Sequence, residues 1–173
     1  MAQSPHRNRL VVIALVLLVA ITFVLVTWLS PSPFVIWNAS KSVPIGWYRI
    51  EHRQPKTLEI AAIKLDGWPQ LLAAERGYLP ENVWLLKPVS AVFPSIVCRF
   101  GNYVFVDGKL VARAKKFVHL HLFLPRWKGC LALKSGELFV IARPKNSFDS
   151  RYFGPIKLSQ VAGVAHRLRV SFW

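Results

Sequence analysis

Asn38-Ala39-Ser40-Lys41-Ser42-Val43-Pro44-Ile45-Gly46-Trp47-Tyr48-Arg49 joins a rigid, Pro/Gly-flanked turn to the start of a strand. Trp47 to Ile50 has the aromatic and β-branched content of a β-strand, so the hydroxyl of Ser42 is expected just ahead of it. Thirteen residues before Ser42 an apolar run ends at Leu29. The twenty residues Leu10 to Leu29 carry no charge. At about 1.5 Å per residue such a helix matches a hydrocarbon layer ~30 Å thick. The run is therefore expected to cross a bilayer, with Ser42, a candidate nucleophile, close to its surface.

Of the 173 residues, the anchor and its flank leave enough for one domain with its own core and too few for two. The expected division is a cytoplasmic tail at 1–9, a transmembrane helix at 10–29 and one domain at 30–173. A cleavable export signal would have a shorter apolar stretch and a small-x-small cleavage site, whereas this run leads into Trp28-Leu29-Ser30-Pro31-Ser32-Pro33. Arg7 and Arg9 precede the helix, and the positive-inside tendency keeps that tail in the cytoplasm and sends the carboxy-terminal domain outward.

Cys98 and Cys130 then lie in an oxidising compartment, where an even pair is compatible with one disulfide; two buried free thiols are the alternative. The formal net charge is +15, from 23 Lys and Arg against 8 Asp and Glu. Such a balance raises the question of nucleic acid. The basic residues are nevertheless spread along the chain, without an arm, a helical stripe or a nucleic-acid motif, and no nucleic-acid partner is expected. Anionic headgroups beside the domain offer another use for the charge.

Ser30 to Pro33 reads as a short proline-rich connector. Asp66 to Gly77 reads as a short surface helix, with Pro69 in its first turn and Gly77 as a left-handed terminator. Val83 to Val92 is a long apolar, β-rich run. Tyr103-Val104-Phe105-Val106, Asp107-Gly108 and Lys109-Leu110-Val111-Ala112 form a two-residue hairpin signal, and Glu137 to Ala142 adds a strand. Trp127 is expected in a structured loop. The fold class is mainly β, built from hairpins, with one N-terminal transmembrane helix and one short surface helix.

Serine is a weak nucleophile until a base takes its proton, and the usual bases are histidine or neutral lysine. His6 lies on the cytoplasmic side, His52 follows the first strand, His119 and His121 alternate with apolar residues as on an exposed strand face, and His166 is near the end. His119 and His121 lack a clear third ligand, and there is no Cys cluster or His-Glu-x-x-His pattern, so no metal or cofactor is expected. Lys87 differs, standing among Trp84, Leu85, Leu86 and Val89. An ammonium in an apolar strand must be paired or neutral, and burial lowers a lysine pKa by up to ~3–5 units. A lysine on an exposed strand edge is the bland alternative.

A third segment, Asn146-Ser147-Phe148-Asp149-Ser150-Arg151-Tyr152-Phe153-Gly154-Pro155, completes a pattern. With the serine turn and the lysine strand it resembles the type I signal peptidase clan, most closely its conjugative-transfer branch, the TraF-type peptidases that process pilin precursors. In that branch the serine box is similar to Asn-x-Ser/Thr-x-Ser-x-Pro-x-Gly-x-Tyr-Arg, which Asn38 to Arg49 reproduces. Arg76-Gly77-Tyr78-Leu79-Pro80 and Pro125-Arg126-Trp127-Lys128-Gly129-Cys130 extend the resemblance over nearly all of the chain beyond the anchor.

The resemblance implies a signal-peptidase-like β fold, with Ser42 as acylating nucleophile and Lys87 as its base. It implies that Ser40 helps hold the oxyanion, that Ser147 orients the lysine amine, and that Asp149 and Arg151 form a supporting ion pair. Ser40 and Ser147 as ordinary turn residues, and Asp149 with Arg151 as a purely structural bridge, are the bland alternatives. The chain departs from the clan in two places: Phe93-Pro94-Ser95 stands where Pro-Gly-Asp is usual, and Lys41 places a charge between the two serines.

The expected function is that of a single-pass bacterial inner-membrane serine endopeptidase, its domain periplasmic. Its partners would be a pilin-like precursor, membrane lipid and other components of a conjugation or type IV secretion apparatus. The resemblance leaves open whether the acyl-enzyme is resolved by water or by the substrate's own amine. A catalytically silent assembly factor of the apparatus and a membrane-tethered DNA-contacting protein are the rival readings.

Overall fold

The structure, a computed structural model, describes residues 5–29, 34–75, 77, 80, 83–115, 117–118, 122–123 and 127–168. The expected connector at 30–33, His119, His121, residues 124–126 of the expected loop, and Arg76, Tyr78 and Leu79 lie outside the described residues. The chain divides into two units, 1–33 and 34–173.

The first unit carries α1, Pro5–Leu29, a helix of 25 residues. Its segment Asn8–Leu25 has a mean hydropathy of 2.6, long and apolar enough to cross a bilayer. Leu10, Val16, Phe23 and the other apolar side chains described in it are all exposed, the state expected of a helix whose solvent is lipid. Thr22 turns its hydroxyl back onto the carbonyls of Leu18 and Val19, so this polar group needs no water.

The second unit is mainly β. Among the described residues, β1 (Val35–Asn38), β2 (Gly46–Glu51), β3 (Ile60–Ile63), β4 (Leu85–Val92), β11 (Glu137–Val140), β12 (Ile156–Lys157) and β13 (Val161–Arg167) form one sheet in the order β1-β2-β13-β3-β4-β11-β12. A second sheet has the order β10-β5-β6-β7, from β5 (Ile96–Phe100), β6 (Tyr103–Val106), β7 (Lys109–Arg113) and β10 (Gly129–Ala132). Phe117–Val118 and Leu122–Phe123 make a small ribbon, β8 and β9. Every pairing is antiparallel.

The expected hairpin forms between β6 and β7, with Asp107 and Gly108 at φ 46° and 77°, the left-handed pair that a two-residue turn requires. The expected surface helix is α2, Gly67–Glu75, with Gly77 just beyond it at φ 65°. The four-residue helix α3, Ser150–Phe153, is capped by Asp149.

β4 is the element on which the site depends. It lies inside the large sheet between β3 and β11, so both of its edges are hydrogen-bonded. Leu85 and Val89 join a core cluster with Ile63, Leu138, Val140 and Tyr152, whereas Leu86 faces a second cluster with Tyr48 and Ile50. Side chains alternate across a strand, so Lys87 shares the face of Leu85 and Val89 and must enter the core with them. It is 2% exposed, and the strand-edge alternative is excluded.

Cys98 and Cys130 face each other across β5 and β10 and are joined by a disulfide, which excludes two free thiols. Where the clan has Pro-Gly-Asp, a turn with a cis Phe93–Pro94 bond leads into β5, and Asp107 Oδ1 accepts from the Ile96 N–H at 2.8 Å.

Candidate active site

The serine turn is the loop of a hairpin. Asn38 ends β1 opposite Gly46 at the start of β2, so residues 39–45 close the connection. Asn38 is buried, and its Nδ2 donates to the carbonyls of Ser40 (2.8 Å), Val43 (3.0 Å) and Pro44 (3.1 Å). Tyr48 Oη donates to the Pro44 carbonyl at 2.7 Å. One amide and one phenol thus satisfy the turn's inward carbonyls and fix where Ser42 points. The composition marks Asn38 as a turn residue, and only its place two residues ahead of Ser40 hints at this role.

Lys87 Nζ is 2.5 Å from Ser42 Oγ and donates to Ser147 Oγ at 2.6 Å, and the two hydroxyl oxygens are 3.4 Å apart. Three distant segments therefore meet at one amine. Burial pulls the Lys87 pKa down to about 8, against the upward pull of the Asp149 charge, with Arg151 adding to the decrease. At pH 7 about one such amine in ten is neutral, against about one in 2,500 at the reference value near 10.4. A neutral amine within hydrogen-bond reach of an alcohol can accept its proton as the oxygen attacks an electrophile.

Beneath this group Asp149 and Arg151 form a fully buried pair, Nε to Oδ1 at 2.7 Å and Nη2 to Oδ2 at 2.9 Å. Neither partner is left with spare valence. Asp149 also accepts from the N–H groups of Ala142 (3.0 Å) and Arg151 (3.2 Å), and Arg151 donates to the Ala142 carbonyl at 2.6 Å. Buried charges persist only when paired and hydrogen-bonded in this way. The pair ties Ala142, at the exit of β11, to α3, and so sets the course of the intervening segment that carries Ser147.

Arg99, on the buried face of β5, donates to the Arg151 carbonyl at 2.5 Å, and Trp127 Nε1 donates to the Ser150 carbonyl at 3.1 Å. These two contacts fasten the second sheet and the expected Trp127 loop to α3. Ser40 lies on the rim of the cleft, its hydroxyl 3.0 Å from Asn38 Oδ1. The cleft, about 330 Å³, is lined by Ser40, Lys41, Ser42, Lys87 and Ser147 on its polar side and by Leu65, Ala73, Leu85 and Phe148 on its apolar side.

His52 bonds the Ala162 carbonyl and His166 pairs with Glu51, and neither lines this cleft. Among the described residues no three His, Cys, Asp or Glu side chains cluster as a metal site would need.

Residues 7–170 match the family model described as signal peptidase, peptidase S26. The chain belongs to the S26 signal peptidase family. It is thus a serine peptidase by family, with the signal-peptidase-like β fold. It is also similar to the crystal structure of a signal peptidase I from Enterococcus faecalis V583, at 19% identity over 66% of this chain and 98% of that one, with a TM-score of 0.39. No curated protein matches it.

Proposed function

We propose that the protein is a membrane-anchored endopeptidase of the conjugative-transfer, TraF-type branch, using a Ser42–Lys87 dyad to cleave exported pilin-like precursors after small residues. The observation that carries this reading is the contact of a desolvated Lys87 amine with Ser42 Oγ at 2.5 Å. Lys87 takes the Ser42 proton as Oγ attacks the scissile carbonyl. The tetrahedral oxyanion is held by the Ser42 N–H and by the Ser40 hydroxyl, turned away from Asn38. The Lys87 ammonium then protonates the leaving amine, and the freed base activates the water that hydrolyses the ester. Ser147 holds the amine in line throughout.

The reading places α1 in the bacterial inner membrane and the second unit in the periplasm. A disulfide suits that oxidising compartment. Exposed Phe34, Trp37, Ile45 and Trp47 suit a headgroup boundary; Trp37 and Trp47 pack edge to face at 5.1 Å. The test is co-expression with a pilin-like precursor and mass spectrometry of the product. Processing is expected with the intact protein and none with Ser42→Ala or Lys87→Ala. Processing that persists with Ser42→Ala would remove Ser42 as the nucleophile, and no processing by the intact protein would leave only an assembly role.

A further inference from the structure

Two clefts meet at Ser42. In β4, Leu85 and Lys87 line the cleft of about 330 Å³, whereas Pro88, Val89 and Ser90 line a second groove of about 750 Å³. The serine turn divides in the same way, Ser40 and Lys41 on one side, Val43 and Pro44 on the other. The segment after β11 is shared as well, with Pro144 and Asn146 to Phe148 lining the first and Ile141 to Arg143 and Lys145 lining the second. An extended chain laid across Ser42 thus has one flank in each.

The two sides differ in charge. The second groove has an apolar floor, including Val89 and Ile141, and exposed Arg113, Arg143 and Lys145 on its walls. Arg151 also reaches it, but that charge is matched by Asp149. Among the described residues lining it there is no Asp or Glu, and none of Arg113, Arg143 and Lys145 is ion-paired. Arg113 is held over the Tyr103 ring at 5.4 Å, which fixes its position without cancelling its charge. Elsewhere on the surface an arginine finds carboxylates: Arg53 pairs with both Glu51 and Glu59. Among the described residues no aromatic side chain lines the groove.

We propose that this groove binds an acidic stretch of the precursor just beyond the scissile bond, on the far side of Ser42 from the smaller cleft. The inference rests on the peptidase reading of Ser42. Exposed charge pairs are each worth about a 1.4- to fivefold change in affinity. Three aspartates facing three cations should therefore tighten binding about tenfold at 0.1 M salt, where charges interact over ~10 Å, and much less at high salt.

The test uses full-length Ser42→Ala protein in detergent micelles and fluorescein-labelled peptides with an Ala-x-Ala core. One peptide carries three aspartates after the core, a second carries three asparagines there, and a third carries the aspartates before it. The first should bind about tenfold more tightly than the other two. That margin should collapse at 0.5 M salt and on adding Arg143→Gln with Lys145→Gln, and should narrow with Arg113→Gln. Equal affinities, a margin that survives the substitutions, or substitutions that weaken only binding to phosphatidylglycerol vesicles would overturn the proposal. Binding is read without cleavage, so the readings separate: charge-dependent binding with no cutting by the intact protein sinks the peptidase reading and leaves the groove standing.

Discussion

Lys87 and Ser42, 45 residues apart in sequence, meet at 2.5 Å because β4 buries the lysine on the face of Leu85 and Val89 while the β1–β2 loop carries the serine over that strand. If the proposed dyad is the catalyst, the pairing ties activity to one titration. With the amine at about 8, kcat/KM should rise about tenfold between pH 7 and pH 9 and then level off. A pH–rate profile on a cleaved peptide checks this, and a flat profile from pH 6 to 9 would remove Lys87 as the base.

Asp149 and Arg151 pull that titration in opposite directions. Asp149→Asn removes the charge that stabilises the ammonium, so the acid limb of the profile should move to lower pH. Arg151→Met removes a repelling charge and leaves the carboxylate, so the limb should move to higher pH. Each variant also strands a buried charge, at about 3–5 kcal/mol of stability. A purely structural bridge predicts the stability loss without the opposed shifts.

The same amine weighs on stability. Its folded pKa of about 8 lies below the ordinary 10.5, so between those values the unfolded chain holds a proton that the folded chain has released. Stability from this group therefore rises with pH across that window, and below pH 8 the full penalty, about 3 kcal/mol, is present. Lys87→Met should relieve it at pH 7, offset by about 1 kcal/mol for each lost bond to Ser42 and Ser147. The measurement is the stability of the variant minus that of wild type, which should fall by about 3 kcal/mol between pH 7 and pH 10.5 and change sign. A difference independent of pH would show that the amine is charged in the fold.

Asn38 holds three carbonyls of the serine turn through one side-chain nitrogen. Asn38→Ala leaves them without that donor in a partly buried site and should cost about 2–3 kcal/mol, with kcat falling more than about tenfold as Ser42 loses its aim. Asn38→Asp should be worse, since a carboxylate cannot donate to carbonyls. Tyr48→Phe, losing only the Pro44 bond, should cost about 1 kcal/mol. Thermal melts and steady-state kinetics check the ranking; a variant at Asn38 with unchanged kcat would show that the turn holds itself.

The sequence exposed what has a local signature. The β6–β7 hairpin is announced by Asp107-Gly108, and Ser42, Lys87, Ser147, Asp149 and Arg151 stand out once three short segments are read together. β3 and β13 leave no such trace. Ala61 and Ala62 in one, and Ala162, Gly163 and Ala165 in the other, give central buried strands without polar alternation. At Gly163 a Cβ would stand 2.1 Å from the Glu51 carbonyl oxygen, a constraint set wholly by a strand distant in sequence. Arg99 inverts the usual rule: in β5 it is buried with Val97 while Ile96 and Phe100 are exposed. Its charge points it outward, and its bonds to the Arg151 and Gly101 carbonyls accompany the reversal.

That bond also decides what the disulfide does. Cys98 and Cys130 close a loop of 32 residues, for which the chain-entropy argument gives about 3–4 kcal/mol of stabilisation. Neither cysteine lines either cleft at Ser42, and beside Cys98 the buried Arg99 clamps β5 to the Arg151 carbonyl without it. Replacing both cysteines by serine should therefore lower the melting temperature by about 10–15 °C while kcat/KM at 25 °C stays within about twofold. In the same background Arg99→Met should bring activity down, because the second sheet then keeps only the Trp127 bond to Ser150 and the Lys115 bond to Tyr152 on the helix that carries Arg151. If the double serine variant alone abolishes cleavage while still folded at 25 °C, the disulfide and not Arg99 is what keeps that sheet in register with the site.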